Sequence, residues 1–214
     1  MYETEEEARK DALRMLEIYD ATGRDLLAIP FVKGLKTDKE KFAGARETYS
    51  IEALMPDGKA LQSGTTHYFG NGFAKDFGIN FLGRNNKLEN PHQTAWGVST
   101  RLLGAIIMVH GDDNGLVLPP YVAPIQIAIV PIQQKNPDVM KKAREYEAAL
   151  KAAGYRVKLD DSDRSPGWKF AEYEMKGVPL RLEVGPRDMA NGVCVIAKRN
   201  DQTKATVAEA DVVK

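Results

Sequence analysis

Cysteine is almost missing from the 214-residue chain: Cys194 stands alone, so no disulfide forms within it, and a reducing compartment suits it. Histidine is scarce too. His67, His92 and His110 are scattered, and no zinc-ligand spacing connects them with the cysteine, which argues against a metal held by such a set. Long apolar runs are also lacking, since none approaches the roughly 18–20 residues that cross a bilayer. The acidic opening MYETEEEARK has none of the marks of a signal peptide. Net charge is zero, with 30 basic residues against 30 acidic ones. From Tyr121 onward there are 16 basic and 13 acidic residues, too slight an excess to announce nucleic acid, although a local basic site fits. Repeats and low-complexity tracts do not occur. These absences leave a cytoplasmic protein without membrane contact.

What is present divides in two, and the 43% of hydrophobic residues suffice for one large core or two small ones. Thr4 with Glu7 makes a capping box, and Ala8, Ala12, Leu16 and Tyr19 mark one face of a helix that ends before Gly23. LLAIPFVKG (26–34) reads as a short buried strand whose proline favours an edge or a bulge. Strands at 48–55 and 61–70, linked through a PDG turn, pair antiparallel. A short helix around Phe73 to Phe77, a strand at 79–83 and an Asn-rich loop follow.

The rhythm changes at LPPYVAP (118–124), a stiff proline-rich linker. Beyond it, 125–132 is an apolar strand and 137–154 a helix with Pro137 at its start and Gly154 past its end. Strand 155–161 puts Tyr155, Val157 and Leu159 on one face; a short helix at 166–177 and strands at 179–185 and 192–199 complete the order. This predicts a partial antiparallel α+β domain over 1–120, then a three-layer α/β module with a largely parallel core sheet over 121–214.

One charge looks misplaced. Arg101 opens an apolar helix, where the dipole disfavours a cation by about 0.3–1 kcal/mol. Leu102, Leu103, Ile106, Ile107 and Val109 cover nearly the whole circumference of that helix, which predicts burial in a core. Ser99 or Thr100 could cap it. Two readings of Arg101 stand: an ion pair with an Asp or Glu from another strand, or an anion grip made with the free helix N–H groups.

At this helix the sequence becomes familiar. WGVSTRLLGAIIMVHGDDNGLVLPPYVAPIQIAIVPI (96–132) resembles motif 3 of class II aminoacyl-tRNA synthetases, specifically the archaeal and eukaryotic type of prolyl-tRNA synthetase. EKFAGARETYSIEA (40–53), LQSGTTHYFGNGFAKDFGI (61–79) and SPGWKFAEYEMKGVPLRLEVGPRDM (165–189) are similar to that family as well, so the resemblance runs in order over nearly the whole chain. It implies part of an antiparallel catalytic sheet followed by an α/β anticodon-binding domain. It also implies ATP-dependent activation of L-proline and its transfer to tRNA-Pro, with Mg²⁺ accompanying ATP and a homodimer as the full-length enzyme. Arg101 would be the catalytic arginine holding the triphosphate of a bent ATP, a reaction that needs positioning and charge neutralisation more than covalent chemistry. By the same resemblance Gln62 and Thr65 lie beside the nucleotide and its Mg²⁺, Thr100 near the adenosine, and His67 and Gly97 along the proline pocket.

Activation of an ionised carboxylate needs no proton abstraction, so His67 reads as a pocket-shaping residue rather than an acid or base. His110 reads as a helix C-cap and His92 as an exposed loop residue. In the second module the resemblance gives Phe170 as a stacking platform, Glu174 as a guanine acceptor, and Arg181 and Arg187 as donors to the two guanines of proline anticodons. Alternation supports Arg181 independently: Leu180, Leu182 and Val184 take the core face and leave Arg181 with Glu183 on the other. A surface pair of Arg181 with Glu183 or Glu174 is the alternative. Trp168 reads as packing and Cys194 as an inert buried thiol.

The family's motifs 1 and 2, which build the dimer interface and clamp the α-phosphate, find no counterpart in these residues. The chain therefore reads as a C-terminal part of such a synthetase. Three functions follow: a share in proline–tRNA ligation, tRNA binding without activation of proline, or an interaction protein in which the fold is kept and the sites serve only as surface.

Overall fold

The computed structural model describes residues 1–213. It divides into two compact units, Met1–Val109 and His110–Lys214.

In the first unit, α1 (Glu5–Asp25) forms where the sequence places it. Thr4 Oγ1 accepts from Glu7 N at 3.2 Å while the Glu7 carboxylate accepts from Thr4 N, closing the capping box. Ala8, Ala12, Leu16 and Tyr19 are its buried face. The helix lies on an antiparallel sheet of order β1-β2-β3-β6, built from β1 (Val32–Leu35), β2 (Glu47–Leu54), β3 (Ala60–Gly70) and β6 (Gln93–Val98). Between β3 and β6 come α2 (Gly72–Asp76) and a two-residue hairpin of β4 (Phe81–Leu82) with β5 (Leu88–Glu89). The helix α3 (Arg101–His110) follows β6.

Four expectations for this unit change. The buried apolar run 26–34 is mostly not strand: Leu27, Ile29 and Phe31 are buried in coil, and the strand that follows Pro30 is an exposed edge. Ala28 adopts φ 54°, which breaks any extended pairing across that run. The strand expected at 79–83 shrinks to the two residues of β4, and β6 occupies residues taken for loop. The burial of α3 is confined to Ala105 and Ile106, whereas Leu103, Ile107 and Met108 are exposed by 61%, 50% and 45%. An apolar circumference shows that a helix can be buried, but not that the same chain supplies a second layer to bury it.

The second unit is a five-stranded sheet of order β11-β10-β9-β7-β8. Its elements are β7 (Ile127–Pro131), α4 (Pro137–Ala152), β8 (Val157–Leu159), α5 (Pro166–Met175), β9 (Leu180–Val184), α6 (Pro186–Ala190), β10 (Val193–Lys198) and β11 (Lys204–Ala208). The central strand β7 is buried throughout. Ile127 and Ile129 join the core that α4 contributes to, while Ala128 and Val130 join Tyr173 of α5 in another. Period-two alternation along one strand thus feeds two helical layers, as the three-layer order requires.

Only β7 pairs in parallel, with β8 and β9; β9–β10 and β10–β11 are antiparallel. The sheet is therefore mixed rather than largely parallel, because the short connections after β9 and β10 cannot cross over a face. The residues before β7 are fastened within this unit. Leu116 N donates to Met175 O at 3.0 Å, and the Arg156 guanidinium donates to the carbonyls of Pro120, Tyr121 and Ala123 at 2.8–2.9 Å.

Candidate functional sites

On the face of the first sheet opposite α1, polar side chains collect. The α1 face is marked by Tyr68, whose ring lies 5.2 Å from the Arg9 guanidinium, and by Glu47, paired with Arg9 at 2.8 Å. Thr48, Ser50 and Glu52 point the other way, and the strand register sets them beside His67, Thr65 and Gln62. A register shift at Ile51/Glu52 lets Gln62 and Thr65 share this face although they are an odd number of residues apart. Across the next pairing, Thr65 lies opposite Gly97.

Arg101 reaches back over this edge. Its Nη1 donates to Gln62 O at 3.0 Å, and its own N–H donates to Ser99 Oγ at 3.3 Å, so Ser99 provides the cap contact. Among the described residues no carboxylate lies within ion-pair distance of the guanidinium, so the first reading of this arginine gains no partner. A cleft of about 240 Å³ is lined by Gln62, Gly64, Thr65, Gly97, Ser99 and Arg101 among others. A Cβ built on Gly97 would meet nothing within 4 Å, so the space above it is open. The structure thus gathers Gln62, Thr65, Gly97 and Arg101. Thr100 precedes α3 outside this lining, and His67 lies further along β3.

His67 sits in an aromatic nest. Its ring centroid is 5.1 Å from Phe42 and 5.7 Å from Phe69, and its Nδ1 is 3.0 Å from the buried Thr48 hydroxyl. Burial lowers the imidazole pKa. Phe42 N donates to the same Thr48 oxygen at 3.1 Å, so one hydroxyl ties the imidazole to the loop before β2. His92, expected to be exposed, is half-buried: its Nδ1 is 2.8 Å from the Tyr68 hydroxyl, and its backbone pairs with Tyr2. His110 is the last residue of α3 rather than the one after it.

The second unit gathers a charged aromatic cluster. Ser165 caps α5, and Lys169, fully buried, anchors its first turn by donating to Gln134 Oε1 at 2.7 Å and Asp160 O at 2.9 Å. One side of α5 then presents Phe170 and Glu174 at helical spacing. Arg181 from β9 lays its guanidinium 4.0 Å from the Phe170 ring centroid. It donates to Glu174 Oε1 at 2.9 Å and to Glu183 Oε1 at 3.0–3.1 Å. Both pairings weighed from the sequence thus occur together, yet Arg181 is buried rather than on the surface. Lys204 of β11 adds a cation 2.9 Å from Glu183. Beside the cluster is a cavity of about 150 Å³ lined by Glu174, Arg181, Arg199, Gln202 and Lys204, among others. Arg187 stands on α6, exposed, and does not line this cavity.

Trp168, expected to pack, is 45% exposed, with the Arg164 guanidinium 5.0 Å from its ring. At the start of α5 its direction differs from that of the buried Lys169 and Tyr173. Cys194 is buried, and burial raises its thiol pKa, as an inert packed thiol requires. Sequence reasoning passed over Thr48, Ser50 and Glu52, although their alternation with Tyr49, Ile51 and Ala53 carries the signal. It passed over Lys204 because β11 itself was not foreseen.

Comparison with known proteins gives these clusters a context. The family described as an anticodon binding domain matches residues 126–214. A proline–tRNA ligase of Lachnospira eligens is 59% identical over 205 residues, which are 96% of this chain and 43% of that protein. One from Ruminiclostridium cellulolyticum is 57% identical over the same share of each. The crystal structure of prolyl-tRNA synthetase from Cryptosporidium parvum complexed with L-proline and AMP superposes with a TM-score of 0.95 at 42% identity, covering 99% of this chain and 46% of that one. The chain thus spans less than half the length of the curated relatives it matches. By sequence and by fold alike, the chain is similar to the C-terminal part of prolyl-tRNA synthetases, and its residues 126–214 match the anticodon binding domain.

Proposed function

We propose that the chain takes part in proline–tRNA ligation, the second unit reading the anticodon of tRNA-Pro and the first contributing to a site for ATP and L-proline. The observation that carries the reading is the Phe170–Glu174–Arg181 cluster within the matched anticodon-binding region. Arg181 and Lys204 both lie over the Phe170 ring, 4.0 and 5.6 Å from its centroid, and a loop base would stack on the part of the ring that stays exposed. Glu174, whose side chain is 44% exposed, has a carboxylate oxygen to accept from a guanine N1–H and N2–H. Arg181 and Lys204 would offer donors to the base and the backbone, and Arg187 a further donor from α6.

In the first unit, Arg101, which has no carboxylate partner among the described residues, is suited to a polyphosphate, whose charge it would neutralise beside the N-terminus of α3. Gln62, Thr65 and Thr100 would meet the nucleotide, while His67, kept neutral by burial, and Gly97 would bound the pocket for proline. The cleft lining contains no carboxylate, so a Mg²⁺ there would be held mainly by the nucleotide's phosphates, with Thr65 and Gln62 supplying oxygens. Such an ion would supply charge neutralisation on the phosphates. A homodimer and a cytoplasmic site of action belong to the same reading; among the described residues no helix is long and apolar enough to cross a membrane.

The test is tRNA binding by the full chain at fixed salt. The chain should prefer tRNA-Pro over tRNAs without the two anticodon guanines. Arg181→Ala should weaken binding by roughly 1–3 kcal/mol, as loss of one good base contact does. Equal affinity for all tRNAs, or no effect of the substitution in a variant shown to be folded, overturns the proposal.

A further inference from the structure

Arg199 is a buried cation that the anticodon cluster does not itself use. Its side chain is 2% exposed, and all three of its nitrogens are engaged. Nη1 and Nη2 form a bidentate pair with Asp112 at 2.7 and 2.5 Å. Nε donates to the backbone carbonyl of Glu174 at 2.9 Å, in the last turn of α5. The same Glu174 bears the carboxylate that pairs with Arg181. Arg199 therefore joins two segments: the Asp112–Gly115 turn and the end of the helix that presents Glu174.

That turn is fitted closely to the helix. Asp112 and Gly115 exchange both backbone hydrogen bonds at 3.0 Å, and Leu116 N donates to Met175 O. Gly115 holds φ 126°, and a Cβ there would lie 2.6 Å from the Met175 backbone, so no side chain fits between turn and helix. Asn114 of the turn and Arg199 line the same cavity of about 150 Å³ as Glu174 and Arg181. The turn lies two residues beyond α3, in a stretch the sequence attaches to motif 3.

We propose that Arg199, paired with Asp112, is a positioning residue for the Glu174 carboxylate in anticodon recognition; the inference rests on the reading of the cluster given above. Arg199 touches no base in this scheme. It fixes the last turn of α5 from the backbone side, so that the Glu174 side chain keeps the direction in which it accepts from guanine. A hydrogen bond to a base edge fails when its acceptor moves by a fraction of its length.

The test compares full-length chain variants for binding to tRNA-Pro and to the same tRNA with inosine in place of the anticodon guanines. Inosine lacks the 2-amino group that a carboxylate accepts from. The unsubstituted chain should favour guanine by roughly tenfold, the scale of one specific base contact. Arg199→Ala should bring the ratio close to one, and Arg199→Lys, which keeps the charge without the fork, should restore only part of it. An unchanged ratio, with both affinities falling alike, would make Arg199 merely structural and overturn the proposal. If Arg199→Ala does not fold, Asp112→Asn carries the test: its side chain is 39% exposed and nearly isosteric, and a lowered ratio is expected. An unchanged ratio in that variant also overturns it. A chain that fails to distinguish inosine from guanine before any substitution refutes the anticodon reading itself, and this inference with it.

Discussion

His67 shows what a single residue type can and cannot announce. A histidine in GTTHYFG suggests acid–base chemistry, yet its ring is set among Phe42 and Phe69 and held by Thr48. Burial lowers its pKa, so an NMR titration of the ring should show a midpoint below the usual 6.5 or so. The sign for stability follows. The folded chain favours the neutral ring, so this contribution is complete above the unfolded value and is lost as pH falls through the lowered folded one. Thr48→Val should cost about 1–3 kcal/mol in urea unfolding, because it leaves the Phe42 N–H and the imidazole without their shared partner. The imidazole was singled out from the sequence; its partner nineteen positions away became visible only through the register of β2 on β3.

At the scale of elements, α3 separates sequence pattern from burial most sharply. Ile106→Ala should cost about 2–5 kcal/mol, as truncation in a packed core does. Leu103→Gln and Ile107→Gln should stay within about 0.5 kcal/mol in this chain, because those side chains already face water. Urea melts of the three variants check both, and a large loss for either glutamine variant would show that the outer face is covered in solution. The cap of α1 was legible in Thr4 and Glu7, since a capping box is local hydrogen bonding written within three positions. Helix α4 was legible in Pro137 and Gly154, whereas the caps Asn136 and Ser165 show only in the structure. The strands β6 and β11 were not, because each is held mainly by pairing with a partner strand rather than by its own composition.

For the molecule as a whole, the decisive quantity is coverage. The chain matches 43% of its relatives' length, and its residues show no counterpart of the signature that clamps the α-phosphate. Proline-dependent ATP–pyrophosphate exchange by the 214-residue chain alone should therefore be undetectable, while tRNA binding by the second unit's residues should persist. Exchange above background would show that the Arg101 cleft is sufficient by itself.

The sequence by itself determined the kinship, the capped helices, the central apolar strand β7 and the types of residue available to each site, since these depend on local spacing and composition. Tertiary structure alone decided which of those residues meet. Among the described residues it left Arg101 without a carboxylate, and it set the guanidinium over Gln62, thirty-nine positions away. It buried Arg181 between two glutamates and tied Asp112 to Arg199 across eighty-seven positions. Such pairings depend on strand register and on which faces the helices cover, and neither is encoded in the neighbourhood of any one residue.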